Sequence, residues 1–152
     1  MYEKINHSKY TFIYSGVLGT LYMVYGIAEM FYSIGIDLNN FLLFPFWSDP
    51  FAGFSLLVVG LVFVYPLISR KTETPEKFAY VYVGGILATI LLVTHILVIL
   101  ANYIECYILL SEDFAGWTWW NDFNPAIPLG LLALPTMVLF YRSNVLQGSQ
   151  KS

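Results

Sequence analysis

The chain has 152 residues, of which 58% are hydrophobic, 18% aromatic and only 11% charged, and its mean hydropathy is +0.66. An average soluble domain carries about 25% charged residues, so a soluble fold of this size could not bury so much apolar surface. The composition also excludes intrinsic disorder, and a net charge of -3 with seven basic residues gives no basis for binding nucleic acid. The length fits one domain, and we expect residues 1–152 to form a single integral membrane domain.

Four apolar segments approach the length that a transmembrane helix needs, about 20 residues for a hydrocarbon core about 30 Å thick. None of them alternates between apolar and polar residues as a barrel strand does. The sequence therefore predicts an all-α integral membrane protein with a four-helix transmembrane bundle. Pro135 should remove one backbone hydrogen bond from the last helix and bend it. In chain order, the predicted helices cover about residues 12–34, 51–68, 78–104 with an apolar continuation to 110, and 125–141.

The basic residues fall on one side of this bundle, at the two termini and between the second and third helices. Because Lys and Arg in short loops are retained in the cytoplasm, both termini are predicted to be cytoplasmic. The chain would then be a multi-pass protein of a prokaryotic cytoplasmic membrane. The seven basic residues are Lys4, Lys9, Arg70, Lys71, Lys77, Arg142 and Lys151.

Each predicted outer connection contains an aromatic segment, at residues 37–50 and 111–124. The first, DLNNFLLFPFWSDP, is too apolar to be simply solvated, and the second combines three tryptophans with acidic residues. Aromatic rings are favoured at the membrane interface, so we expect both segments to lie there as an aromatic belt. The alternative is a docking surface for a partner or an amphipathic ligand. The tryptophans concerned are Trp47, Trp117, Trp119 and Trp120.

Small residues recur along faces of the predicted helices, most clearly at Gly16, Gly19 and Gly26 of the first helix. Helices in lipid associate by close packing rather than by hydrophobicity, so this face should meet a neighbouring helix. The run GFSLLVVG, from Gly53 to Gly60, is similar to segments of the DoxX-like and HdeD-like groups of small four-helix membrane proteins. This resemblance covers one helix and implies no residue roles.

Two ionisable side chains lie inside the predicted spans, Glu29 in the first helix and His95 in the third. At a rise of 1.5 Å per residue they lie about 25 and 26 Å from the inner edge, so they share one level in the outer part of the membrane. Tyr25 lies on the same helical face as Glu29, and Asn102 and Glu105 continue a polar stripe beyond His95. Ionisable groups inside a span are costly, which makes these five residues the candidate ligand-binding set.

Three interpretations of this set remain open. Glu29 and His95 form a structural pair, with Tyr25 or Asn102 satisfying the remaining hydrogen bonds. Alternatively, they line a site for a quinone or another ligand, in which His95 donates to a carbonyl and Glu29 takes a proton. In the third interpretation, His95 binds a metal ion with Glu29 or Glu105, although a tight site usually needs three or four ligands.

No catalytic constellation is recognisable, since nucleophile triads, phosphate-binding glycine loops and HExxH are absent. Cys106 is the single cysteine, and bis-histidine haem ligation would need a second histidine in the bilayer, so the sequence requires no cofactor. We expect a non-catalytic accessory or structural subunit of a larger membrane protein complex, such as a respiratory or redox complex. Its partners would be the lipid bilayer and other membrane subunits or further copies of itself. The alternative is a quinone-, lipid- or metal-binding protein with an outer-leaflet pocket around Glu29 and His95.

Overall fold

The computed structural model describes the backbone of residues 2–35, 49–69 and 74–148, and the side chains of residues 10–35, 49–69 and 76–138. These ranges contain no strand, so the predicted all-α class with four helices is confirmed. Two short 3₁₀ turns, Glu112–Phe114 and Trp119–Asp122, lie between the third and fourth helices. The helices are α1 (Tyr2–Ser33), α2 (Pro50–Ile68), α3 (Thr74–Tyr107) and α4 (Ala126–Gly148).

Two helices extend well beyond the apolar segments that predicted them. α1 begins at Tyr2 rather than near residue 12, and α4 ends at Gly148 rather than near residue 141. An apolar run marks only the length that the hydrocarbon core requires, whereas backbone hydrogen bonding can continue a helix into water. The apolar pattern therefore located the spans but underestimated the helices.

The start of α2 is fixed by a local signal. The Asp49 Oδ1 atom accepts hydrogen bonds from the backbone N–H groups of Phe51, at 2.9 Å, and Ala52, at 3.2 Å. Pro50 occupies the first turn of α2. A backbone N–H at this position would have no carbonyl within the helix to donate to, so the proline loses no helical hydrogen bond. Asp49 and Pro50 end the first predicted aromatic segment, and the rest of that segment, with Trp47, lies outside the described residues.

The chain leaves α3 through a leucine in the left-handed region. Leu110 has a φ of 52°, a conformation that costs a residue with a side chain about 1–2 kcal/mol. The N–H groups of Ile108 and Leu109 both donate to the carbonyl of Ile104, at 2.9 and 3.0 Å. These bonds close the last turn of α3 just before the chain enters the following loop.

α1 and α2 pack with their backbones in contact at two levels. A Cβ atom on Gly19 would lie 2.8 Å from the carbonyl oxygen of Gly60, and a Cβ on Gly26 would lie 2.7 Å from that of Gly53. The relation is reciprocal, because a Cβ on Gly60 or Gly53 would meet the α1 carbonyls at 2.8 and 2.9 Å. The prediction that the glycine face of α1 meets a neighbouring helix is confirmed.

The other helix contacts also use small residues. A Cβ on Gly130 of α4 would meet the Leu92 Cβ of α3 at 2.6 Å, and one on Gly84 of α3 would lie 2.9 Å from the Phe63 ring of α2. α1 packs against α2 and α4, and α3 packs against the same two helices, while the rings of Phe12 on α1 and Phe78 on α3 also meet, with their centroids 4.9 Å apart. The core between the helices consists of Leu18, Tyr22, Tyr25, Ala28, Leu56, Val59, Phe63, Val81, Ala88, Ala126, Leu129 and Ala133.

Three of the described helices contain stretches long and apolar enough to cross a membrane, at Tyr10–Ser33, Pro50–Ile68 and Glu76–Tyr107. α4 contributes a shorter apolar stretch, Ala126–Val138. At 1.5 Å per residue the 34 residues of α3 extend about 51 Å, more than one bilayer core needs.

Candidate functional site

Glu29 lies inside the bundle, where its side chain is 0% exposed. Its Oε1 atom accepts a hydrogen bond from Asn124 Nδ2 at 2.9 Å, and Asn124 Oδ1 accepts one from the N–H of Ala126 at 2.8 Å, where α4 begins. α2 is equally close, because a Cβ on Gly53 would meet the Glu29 Cβ at 3.1 Å. Glu29 therefore joins three helices at one point, and sequence reasoning missed its partner Asn124.

The predicted pair of Glu29 and His95 is not formed. The half-buried His95 places its Nδ1 atom 2.9 Å from the backbone carbonyl of Leu91, one turn earlier in α3. A carbonyl oxygen can only accept, so Nδ1 carries the proton, and in the neutral ring Nε2 then presents a lone pair. This contact occupies Nδ1, so a ligand would have to meet His95 at Nε2.

Two polar atoms on the inner side of α1 have no hydrogen-bond partner among the described residues, Glu29 Oε2 and the Tyr22 hydroxyl. Tyr22 is fully buried, with its ring 5.9 Å from that of Phe63 between centroids. Tyr25 lies between them in sequence and is also buried, as expected for a residue on the same helical face as Glu29. A buried polar group without a partner costs about 1–3 kcal/mol, so this side of α1 carries two destabilising atoms.

Asn102 belongs to a separate polar cluster near the end of α3. Asp122 Oδ2 accepts hydrogen bonds from Asn102 Nδ2 at 2.6 Å and from the Trp117 indole Nε1 at 2.7 Å. Asn102 follows His95 by seven residues, about 10 Å along the helix, and Glu105 is half-buried still further along. The cluster holds the loop between α3 and α4 against α3. The predicted polar stripe of α3 therefore does not form one site, because Asn102 belongs to this cluster and His95 does not.

The tryptophans of this loop differ in accessibility. Trp117 is only 8% exposed, whereas Trp119 and Trp120 are 49% and 56% exposed. The rings of Trp119 and Trp120 stack with their centroids 3.9 Å apart, and Phe123 packs against both at 6.0 and 5.2 Å. Of the predicted interface residues that the structure describes, Trp119 and Trp120 can therefore offer ring surface to lipid or to a partner.

The bundle-facing side of α3 is covered unevenly. Val81, Ala88, His95 and Asn102 recur every seven residues and so share this side. Val81 and Ala88 are 1% and 0% exposed, but His95 and Asn102 are only half-buried. Where α2 and α3 pack tightly, at Phe63 and Gly84, the contact lies in the buried half. We call His95, Ile99, Asn102 and Cys106 the half-buried strip.

The described side chains offer little to a metal ion. No group of three or more His, Cys, Asp or Glu residues that could hold one occurs within them. His95 and Glu105 are ten residues apart, about 15 Å along α3, and Glu29 is bonded to Asn124. The geometry therefore gives the metal interpretation no support among these residues.

Together, the bundle and its buried carboxyl define a polytopic α-helical integral membrane protein whose first and last helices are joined inside the core. The sequence matches the family described as the MJ0565 integral membrane domain over residues 5–143, and the chain belongs to this family. The match includes parts of all four helices, and the expected integral membrane localisation is confirmed at this level.

One relative comes from an archaeon. The chain is similar to "Uncharacterized protein MJ0565" of Methanocaldococcus jannaschii, with 28% identity over 119 residues, which cover 78% of this chain and 80% of the relative. No solved structure matches the chain significantly.

Proposed function

We propose that the chain is a non-catalytic accessory or structural subunit of a larger membrane protein complex in a prokaryotic cytoplasmic membrane. The observation that supports this most is a row of exposed residues on α3 at regular helical spacing. Ile90, Thr94, Leu97, Ala101 and Ile104 follow one another at steps of four and three residues, and all five are exposed. Membrane helices pack side by side with this spacing, and small residues permit close approach. We call these residues the α3 seam.

The glycine faces are not available for a partner. The contacts of Gly19 with Gly60 and of Gly26 with Gly53 use them inside the bundle. Contacts with other subunits would therefore use the α3 seam instead. Trp119 and Trp120 would add an aromatic belt at the membrane interface, since indole rings are favoured there.

The separation of the polar groups supports a role without chemistry. Glu29 is held by Asn124, Asn102 by Asp122, and His95 by the backbone of its own helix. General acid–base catalysis needs such groups within reach of one substrate atom, and these are dispersed over the bundle. Binding to larger chains, such as those of a respiratory or redox complex, would then give the protein its role.

The test is extraction of the native membrane in a gentle detergent, followed by a native gel and mass spectrometry of the band that contains this chain. We expect larger chains in stoichiometric amounts. In Ala101→Trp, the bulky ring should prevent close approach at the seam and release them. Leu100→Trp is the matched control, because Leu100 is also exposed but lies beside the seam. A wild-type chain that migrates alone would contradict the proposal.

A further inference from the structure

His95 presents a hydrogen-bond acceptor in an apolar setting. Its Nδ1–H is bound to the Leu91 carbonyl at 2.9 Å, which leaves the Nε2 lone pair of the neutral ring without a partner among the described residues. The ring is half-buried, unlike the fully enclosed carboxyl of Glu29. A donor that meets the exposed part of the ring can therefore bind Nε2 without displacing an existing hydrogen bond.

The residues around His95 limit the size and polarity of a ligand that could bind there. Towards the start of α3, Leu92 is buried against α4, and towards its end the Asn102–Asp122–Trp117 cluster lies across the strip. Leu92 and Asn102 are ten residues apart, about 15 Å along the helix. Between them, apolar side chains flank the single acceptor, with Ile99 half-buried one turn beyond His95.

We propose that the half-buried strip binds a membrane ligand with a hydroxyl group on an apolar body, and that this hydroxyl donates to His95 Nε2. The ligand must supply the proton, because Nε2 has none to give. A head group with only carbonyl oxygens, such as an oxidised quinone, cannot make this bond to the neutral ring. Hydroquinones and glycerolipid alcohols share the required chemistry. The strip faces away from the α3 seam, so this proposal does not depend on the accessory role.

The first measurement reads the histidine directly. Because the chain has two histidines, His7→Gln leaves His95 as the sole signal in a protein labelled with ¹⁵N-histidine and placed in lipid nanodiscs. We expect the spectrum to show Nδ1 protonated and Nε2 bare. Decylhydroquinone should shift the Nε2 resonance, and its dimethyl ether, which has no donor, should not. A ring protonated at Nε2, or equal shifts from both compounds, would overturn the proposal.

Substitutions then test the bond itself. His95→Leu should weaken decylhydroquinone binding about two- to tenfold, the effect of one lost hydrogen bond, and His95→Gln should restore part of it through an amide oxygen. Thr94→Val, on the seam, should bind as the wild type does. Circular dichroism checks that the variants fold. Unchanged binding in His95→Leu would contradict the assignment.

A comparison of two probes identifies the source of the hydroxyl. Stronger binding of decylhydroquinone than of dioleoylglycerol would indicate a redox lipid, and the reverse order would indicate a glycerolipid. Either result supports the proposal. Failure of both probes to shift the His95 signal overturns it, whatever complex the protein belongs to.

Discussion

The side chain of Asn124 performs two tasks at one point. Its Nδ2 donates to Glu29 and its Oδ1 accepts from the N–H of Ala126, so one amide both satisfies a buried carboxyl oxygen and caps α4. An amide is suited to this position because it combines a donor and an acceptor without carrying a charge. Loss of the side chain therefore removes two interactions together.

We predict that Asn124→Ala lowers the free energy of unfolding by about 2–4 kcal/mol, which combines a lost helix cap with a newly unsatisfied carboxyl oxygen. Denaturant unfolding in mixed micelles would measure it. Asn121→Ala is the control, since Asn121 is exposed and its side chain accepts from Thr118 at the surface. The double variant Glu29→Leu, Asn124→Ala should show non-additive effects. Simple additivity would mean that the two residues are not coupled.

For the Tyr22 hydroxyl we predict the opposite effect, a gain in stability when the group is removed. It is buried without a partner among the described residues, so Tyr22→Phe should stabilise the protein by about 1–2 kcal/mol. Tyr14→Phe is the contrasting variant, because the Tyr14 hydroxyl donates to the Leu132 carbonyl of α4 and its loss should destabilise. Thermal unfolding of both variants would check the signs. A destabilised Tyr22→Phe protein would show that the hydroxyl has a partner in the membrane.

At the scale of whole helices, the pairing of α1 with α2 depends on backbone approach. We predict that Gly26→Ala costs about 1–3 kcal/mol, because the new methyl group would meet the Gly53 carbonyl oxygen at 2.7 Å. Gly16→Ala should cost less, since its methyl group would meet only side-chain atoms of Leu67, which is exposed and can move aside. Unfolding free energies of the two variants provide the comparison. Equal costs would contradict the packing described for this pair.

The helices themselves were largely predictable because a membrane span must satisfy its own backbone and face lipid over a known thickness. The buried glycine face of α1 was also predictable, since small residues at Gly19 and Gly26 repeat with helical spacing. The helix ends were not, because hydropathy gives no signal outside the bilayer. α1 starts ten residues before its apolar segment for that reason.

The candidate site was predicted less well. Helical periodicity correctly placed Tyr25 and Glu29 on one buried face, but it relates residues only within one helix. The partner of Glu29 comes from a loop 95 residues later in the chain, and the partner of Asn102 from the same loop. The Asn124-Pro125 pair before an apolar run is a helix-start signal that could have drawn attention to Asn124.

The orientation of the whole molecule is the remaining sequence prediction, and labelling can test it. In a Cys106→Ser background, we expect a membrane-impermeant maleimide on intact cells to label Ala115→Cys and to leave Ser8→Cys unlabelled. Ala115 is exposed in the loop between α3 and α4, and Ser8 lies among the basic residues at the start of the chain. Permeabilised cells, in which both should react, provide the control. The reverse pattern would place the termini outside.

The link between Glu29 and Asn124 also imposes an order on biogenesis. During synthesis, the first span enters the bilayer with a carboxyl group whose partner has not yet been made, because Asn124 emerges 95 residues later. The α1–α2 hairpin can already pack through its glycines at that stage, but the carboxyl gains its hydrogen bond only when α4 inserts. A nascent chain that stops before Asn124 would thus leave both oxygens of this carboxyl group without a hydrogen bond inside the membrane, whereas the finished bundle satisfies one of them, and this difference gives quality-control proteases a physical mark of an unfinished molecule.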